Sequence, residues 1–211
     1  MSSTSACTLG IRSLEAYEEA ARRLADFAVL KIKVDGREPL AALAAVRRGA
    51  PNPALIVDPN QAWSVADLKD LAPVMAGYGV ALLEHPIPVG AEAGLDGWTC
   101  PVPLCADELV DTEADLAKAR GRFDVVNIKL DKAGGLTAAL RLADAAASQG
   151  FRLMVGCMAG SSLAMAPAMV LAQRCAFVDL DGPLLQAEDA ENGFVYAAGR
   201  VAAPHIPALW G

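Results

Sequence analysis

The strongest constraint on the fold is a regular alternation of short apolar segments with longer segments of helical periodicity. The apolar segments are rich in Val, Ile, Leu and Ala and have the length of buried strands, and nearly all of them are followed by a helix. Eight such strands in this chain predict a parallel sheet closed into a (β/α)8-type, TIM-like barrel. A doubly wound open sheet is the alternative, but no GxGxxG motif follows an early strand to indicate a nucleotide-binding site.

The predicted strands, in chain order, are "CTLGI", "FAVLKIKV", "ALIVD", "GVALLE", "VPLCAD", "DVVNIKL", "RLMVG" and "AFVDLD". We expect helices at "SLEAYEEAARRLADF", with Ser13 as its N-cap, and near residues 38–49, 64–77, 112–120, 135–149 and 161–173. No charge block or Pro/Ser-rich linker divides the chain. This predicts one domain over residues 1–211, with the barrel at about 7–183 and an irregular tail at 184–211.

Composition and charge exclude several classes of function. The net charge of -7 and the lack of a basic cluster make nucleic acid an unexpected partner. The start "MSSTSACTLG" has no basic region followed by an apolar one, so we expect no secretory signal. The five cysteines are odd in number, scattered and without CxxC spacing, which favours reduced thiols and a cytoplasmic location.

Residues 153–173, "LMVGCMAGSSLAMAPAMVLAQ", carry no charge and have the length of a transmembrane helix. However, Gly156, Gly160, Ser161, Ser162 and Pro167 interrupt the segment. We therefore predict a buried strand, a turn and an Ala-rich packing helix, and no membrane association.

Ionisable residues stand at the ends of the second to sixth predicted strands and of the eighth. They are Lys31, Lys33, Asp58, Glu84, Asp107, Glu108, Lys129, Asp179 and Asp181. A single acidic residue after a strand is often the N-cap of the next helix. The carboxyl ends of barrel strands form the active-site face. So many ionisable residues at the ends of otherwise apolar strands therefore indicate a functional site.

The residue types suggest a division of roles. Asp58, Glu84 and Asp107 lie on consecutive strands and could converge on one hard divalent cation such as Mg²⁺, which prefers oxygen ligands. Lys31 and Lys33 share one face of their strand, and a neighbouring positive charge would lower the pKa of Lys33 towards that of a base. A buried salt-bridge network without chemistry is the alternative.

The ordered set of motifs resembles the barrel domain of the enolase superfamily, muconate-lactonizing subgroup, and within it the dipeptide epimerases. The motifs are "LKIKV", "VDPNQAW", "LLEHPIP", "CADE", "VNIKLDKAGGL", "GCMAGSSLA" and "VDLDGP". The resemblance covers the chain from about Thr8 to Pro183 and implies a modified (β/α)7β barrel. Family members carry an N-terminal α+β capping domain over the barrel mouth, and we expect a barrel without that domain here.

The resemblance implies a role for each matching residue. Asp58, Glu84 and Asp107 would bind Mg²⁺, and Lys33 and Lys129 would be the two acid/base residues, with Lys31 as the electrostatic partner of Lys33. Asp179 and Asp181 would hold the α-ammonium group of a dipeptide, and Cys157 and Met158 would line its pocket, although packing is an equal alternative for those two. Lys132 is a rival to Lys129, whereas His85 receives no catalytic role and His205 is expected at the surface.

The activity implied is the Mg²⁺-dependent epimerisation of a dipeptide such as L-Ala-D/L-Glu. One lysine would remove the α-proton, and the opposite lysine would return a proton to the other face of an enolate intermediate. The alternatives are a barrel that binds metal with little or no catalysis, or another reaction of the subgroup, such as a cycloisomerase or an acylamino acid racemase. A place in peptidoglycan recycling and a homo-oligomeric state are further expectations.

Overall fold

A computed structural model describes residues 1–197 and 199–203 of the chain. Its first strand is β1 (Ser2–Thr4). Eight parallel strands then form one sheet in strict chain order. These are β2 (Cys7–Leu9), β3 (Val29–Lys33), β4 (Ala54–Asp58), β5 (Val80–Glu84), β6 (Leu104–Ala106), β7 (Val125–Lys129), β8 (Arg152–Gly156) and β9 (Phe177–Val178).

The two edges of the sheet meet. The N–H of Ala6, just before β2, donates to the carbonyl oxygen of Val178 in β9 at 2.8 Å. The N–H of Leu180 donates to Ser5 Oγ at 2.9 Å. The sheet therefore curls round on itself, and the predicted (β/α)8-type barrel is confirmed.

Helices follow the strands on the outside of the barrel. They are α1 (Leu14–Arg23), α2 (Pro39–Gly49), α3 (Val65–Gly77), α4 (Leu116–Ala119), α5 (Leu130–Ala133), α6 (Leu136–Ser148), α7 (Ser162–Met165) and α8 (Ala168–Ala172). Short 3-10 turns lie at Glu92–Leu95, Glu113–Asp115 and Gly182–Leu185. The helix expected near 112–120 is thus a 3-10 turn followed by the single turn of α4.

Local capping explains where two of these helices begin. Ser13 caps α1, as predicted, and its Oγ accepts from the N–H of Ala16 at 3.3 Å. Ser64 and Asp67 form a reciprocal capping box at the start of α3. These two helices therefore begin at short-range signals that the sequence carries.

The segment 153–173 is broken as its small residues and proline predict. Strand β8 is followed by α7 and α8, and Pro167 lies between the two helices because it cannot continue the first. In the part of the chain that the structure describes, no helix has the length and hydrophobicity to cross a membrane.

The tail is more regular than expected. Strands β10 (Val195–Ala197) and β11 (Arg200–Ala202) form a hairpin, and β11 pairs with β1 in a three-stranded antiparallel sheet. The prediction of an irregular tail at 184–211 is therefore wrong for this stretch, since its pairing partner is at the opposite end of the chain. Residues 204–211, including His205, lie outside the described residues.

The inside of the barrel is built in layers because side chains on a strand alternate between two faces. A lower layer is apolar and contains Ile56, Leu82, Cys105, Val125 and Met154. Two residues further along the strands, the same inward face carries Asp58, Glu84, Asp107, Asn127 and Gly156. The fold therefore places a polar layer directly on an apolar floor, at the carboxyl ends of the strands.

Candidate active site

Lys31 is the centre of the polar layer. Its Nζ lies 2.7 Å from Glu84 Oε2, 2.8 Å from Asp179 Oδ2 and 3.1 Å from Asp58 Oδ2. Burial alone would lower the pKa of Lys31, but these three carboxylates outweigh it and hold the pKa well above its ordinary value. Lys31 is therefore charged, and its charge is matched by carboxylates of three strands.

Lys33 lies one layer higher on the same strand and is partly open to solvent. Its Nζ donates to Asp58 Oδ2 at 2.5 Å and to Asn60 Oδ1 at 2.8 Å. Burial alone would raise the pKa of Asp58, but the ammonium groups of Lys31 and Lys33 hold it below the ordinary value. Asn60 is a contact of the site that the sequence analysis did not single out, although it stands in the quoted motif "VDPNQAW".

Glu84 lies at the end of β5 and is fully buried. Burial, together with the negative charges of Asp58, Asp107 and Asp179, raises its pKa to about 7 in spite of the Lys31 ammonium. Glu84 Oε1 accepts from Asn127 Nδ2 at 2.9 Å. Glu84 Oε2 faces Lys31 Nζ, but no donor of the described residues makes a well-directed hydrogen bond to it.

Asn127 is the second contact that sequence analysis missed. It lies two residues before Lys129 on β7, so both side chains share the inward face, and this spacing is the signal that could have found it. Gly156 on the neighbouring strand makes room for both. A Cβ at Gly156 would lie 2.8 Å from the side-chain N and O atoms of Asn127 and 3.1 Å from Lys129 Cε.

Asp107 follows β6 and is shared by two lysines. Lys129 Nζ donates to its Oδ2 at 2.5 Å, and Lys132 Nζ lies 3.1 Å from its Oδ1. Burial alone would raise the pKa of Asp107, but the two ammonium groups hold it below the ordinary value. Burial likewise acts to lower the pKa of Lys129, but Asp107 outweighs it and raises this pKa.

His85 is buried beside this aspartate, in a backbone conformation with φ of 35°. Its Nδ1 accepts from the N–H of Asp107 at 3.0 Å and also lies 3.0 Å from Glu108 Oε2. His85 thus contacts the backbone of a site residue and does not enter the polar layer itself.

Asp179 and Asp181 follow β9 on the same side of the barrel. Lys31 contacts Asp179 Oδ2, and the buried Asp179 Oδ1 has no hydrogen-bond partner among residues 1–197 and 199–203. Asp181 Oδ2 accepts from the N–H of Thr8 at 2.6 Å. Burial, and next the charge of Asp179, raise the pKa of Asp181 to about 6. One buried carboxylate oxygen is therefore left for a donor from a ligand.

Cys157 and Met158 lie on the loop after β8. Burial, and then the charges of Asp179 and Asp181, raise the pKa of the Cys157 thiol to about 12, so it is not a thiolate. Met158 is 51% exposed. The structure brings Cys157 close to the two aspartates and leaves Met158 at the solvent side of the loop.

The three carboxylates expected to bind metal are each in contact with a lysine. Within residues 1–197 and 199–203, no three His, Cys, Asp or Glu side chains converge as an assembled metal site. Ammonium groups contact Asp58, Glu84 and Asp107 instead. The donor set still fits a hard cation, because all its atoms are carboxylate oxygens and Asp58 and Asp107 both act to raise the pKa of Glu84.

Comparison with known proteins agrees with this geometry. A model of the family described as "Enolase C-terminal domain-like" matches residues 15–209. An N-acetyl-D-glutamate racemase of Pseudoalteromonas sp. is 45% identical over 99% of this chain and 66% of its own length. An L-Ala-D/L-Glu epimerase of Escherichia coli (strain K12) is 42% identical over 82% of this chain and 54% of its own length.

Two solved structures extend the comparison. An enolase family member from Agrobacterium tumefaciens, with bound sodium and L-Ala-L-Glu, is 42% identical and has a TM-score of 0.95 over 100% of this chain and 64% of its own. A dipeptide epimerase from Methylococcus capsulatus with Mg and L-Arg-D-Lys is 32% identical, with a TM-score of 0.85 over 97% and 62% of the two chains. The chain thus spans between about half and two thirds of the length of these relatives.

Proposed function

The chain belongs to the Enolase C-terminal domain-like family, and on that premise we propose that it forms the barrel of an isomerase that epimerises a dipeptide such as L-Ala-D/L-Glu. One observation carries the proposal. Lys33 and Lys129 end strands β3 and β7, which are four positions apart in the eight-stranded sheet. In a closed barrel of eight strands such positions are opposite, so the two ammonium groups flank the buried carboxylates from two sides.

Two lysines on opposite sides suit inversion at carbon. One amine takes the α-proton from one face of the glutamate residue, and the opposite ammonium returns a proton to the other face. As the site stands, Lys129 is protonated and bonded to Asp107, so it is ready to act as the acid. To act as the base, it must lose this proton and the bond to Asp107.

The negative charge that develops on the substrate carboxylate needs compensation. Lys31 supplies a fixed positive charge at the floor of the site. Asp58, Glu84 and Asp107 would hold a divalent cation, Mg²⁺ by our proposal, and the cation would supply further stabilisation of that charge. The solved structures of relatives with bound sodium and with bound Mg support the proposal of a bound cation.

A second candidate reaction differs from the first in the amino end of the substrate. L-Ala-Glu and N-acetylglutamate are both N-acyl glutamates, and they differ by an ammonium and a methyl group on the acyl part. Asp179 and Asp181 suit the ammonium of the dipeptide, because the buried Asp179 Oδ1 has no hydrogen-bond partner in the part of the chain that the structure describes. The 45% identity with an N-acetyl-D-glutamate racemase favours the second candidate, racemisation of an N-acyl glutamate without that ammonium.

The test is proton NMR in D₂O of the purified protein with Mg²⁺ and, separately, L-Ala-D-Glu, L-Ala-L-Glu and N-acetyl-D-glutamate. We expect deuterium at the glutamate α-carbon and conversion of each dipeptide into its epimer. Asp181→Asn should reduce the rate with the dipeptides more than the rate with N-acetyl-D-glutamate. A protein that binds Mg²⁺ but exchanges no α-proton would instead be a metal-binding barrel without catalysis.

We also propose a cytoplasmic location and a role in recycling peptidoglycan peptides. Such recycling would make the dipeptide substrate available in that compartment. The five cysteines are all free, as a reducing compartment favours. Tracking a tagged copy in cell fractions would test the location.

A further inference from the structure

Asp107 has every polar group engaged. Its N–H donates to His85, and its Oδ2 accepts from Lys129. Lys132 Nζ donates to its carbonyl oxygen at 2.7 Å and to its Oδ1 at 3.1 Å. From this geometry we infer that Lys132 is a positioning residue that anchors Asp107 for a divalent cation, and is not a rival base. The inference rests on the proposed function, which makes Asp107 a metal ligand.

The ammonium group of Lys132 has no free direction. Besides its two contacts to Asp107, it lies 2.9 Å from Asp111 Oδ1. An ammonium group has three hydrogens, and here three acceptors surround it. Lys132 therefore cannot point a proton at a substrate without giving up one of these contacts, whereas Lys129 has Asp107 Oδ2 as its one hydrogen-bond partner among the described residues.

The position of Asp107 explains why an anchor is needed. Strand β6 contains only Leu104–Ala106, so the parallel ladder ends before Asp107. Outside the ladder, the Asp107 N–H donates to His85, and its carbonyl oxygen accepts from the N–H of Val110 as well as from Lys132. Lys132 lies on α5, directly after β7, and contacts both the backbone and the carboxylate of Asp107. It ties the segment 107–111 to the next strand–helix unit, and it leaves Oδ2 to an exchangeable partner.

Magnesium titration calorimetry on the metal-free protein tests this role without using activity. Lys132→Gln and Lys129→Gln form a matched pair, since each removes one positive charge next to Asp107. If charge alone mattered, both variants would bind Mg²⁺ at least as tightly as wild type. With Lys132 as the anchor, Lys132→Gln should weaken Mg²⁺ binding about 10- to 100-fold, as is usual for partners of metal ligands, while Lys129→Gln should not weaken it.

Asp111→Asn provides a milder variant in case Lys132→Gln does not fold, because the Asp111 side chain is 51% exposed. It should weaken Mg²⁺ binding in the same direction by a smaller factor. Undiminished binding by Lys132→Gln, or by Asp111→Asn if only that variant folds, overturns the positioning role while the proposed function stands. A wild-type protein that binds no Mg²⁺ overturns the metal part of the proposed function, and this role with it.

Discussion

Lys31 Nζ lies 2.7 Å from Glu84 Oε2 inside the barrel, and the two side chains are only 3% and 0% exposed. Two charges buried so deeply are stable only if they compensate each other, because each loses its hydration. Lys31 also contacts Asp58 and Asp179, so one ammonium group serves three carboxylates. This relationship makes the site an electrostatic unit, in which removal of one member leaves the others uncompensated.

Replacing the charge of Lys31 should therefore destabilise the fold strongly. We expect Lys31→Met to lower the free energy of unfolding by about 3 to 5 kcal/mol, the usual loss when one partner of a buried pair is removed. Urea unfolding measures this. Lys118→Met is the control, since Lys118 pairs with Asp115 at the surface and its replacement should cost much less stability. Equal losses of stability in the two variants would contradict the role of Lys31 as the charge that compensates the buried carboxylates.

Stability should depend on pH through Asp181, whose pKa is raised from 3.8 to about 6. A carboxyl that binds its proton more tightly in the folded state stabilises the fold most below pH 3.8. This stabilisation is lost as the pH rises from there through about 6. The difference in unfolding free energy between wild type and Asp181→Asn should fall by on the order of 3 kcal/mol between about pH 4 and pH 7.

Urea titrations at several pH values would show this trend. Glu188→Gln is the control for the change from a carboxyl to an amide at an exposed position. A wild-type to Asp181→Asn difference that does not change with pH would show that Asp181 is not perturbed.

The two proposed bases should be separable in D₂O. Each base serves one face of the α-carbon, so Lys129→Ala should stop epimerisation yet allow Lys33 to exchange the α-proton of one epimer. Lys33→Ala should exchange the other epimer, and Lys118→Ala should behave as wild type. NMR of each epimer measures the exchange, and full epimerisation by Lys33→Ala/Lys129→Ala would rule out the two-base scheme.

Gly156 should be intolerant of a side chain, since its Cβ would lie 2.8 Å from Asn127 and 3.1 Å from Lys129 Cε. We expect Gly156→Ala to cost about 1 to 3 kcal/mol of stability and to displace Lys129. Thermal unfolding and the D₂O assay together check this. Gly77→Ala is the control, because a Cβ at Gly77 meets no atom of the described residues within 4 Å. Full activity of Gly156→Ala would show that Lys129 functions in spite of the added side chain.

Asp189 should hold the tail on the start of α7. Its carboxylate accepts from the N–H of Ser162 and of Ala190, both at 2.7 Å, and from the hydroxyl of Ser162. Ser162 Oγ in turn accepts from the N–H of Phe194 at 2.7 Å. We expect Asp189→Ala to lose about 1 to 3 kcal/mol and to speed proteolysis of the tail, with Glu188→Ala as the unaffected control. Unchanged proteolysis would exclude this role.

Much of the fold could be predicted because its signals are short-range. The alternation of strands and helices, the Ser13 cap and the break at Pro167 each depend on residues within a few positions. The ionisable residues at the strand ends could also be predicted to form one site, because the carboxyl ends of the strands all lie at the same end of a parallel barrel. The sequence thus determined the barrel and the residues that line its mouth.

Only the tertiary structure decided which groups meet. The three carboxylates around Lys31, the contact of Asn127 with Glu84 and the anchoring of Asp107 by Lys132 depend on strand register and barrel closure, which are set by residues far apart in the chain. The pairing of β11 with β1 is likewise long-range, so the tail looked irregular in the sequence. Local patterns fix which face a side chain takes, and packing across the barrel fixes its partners.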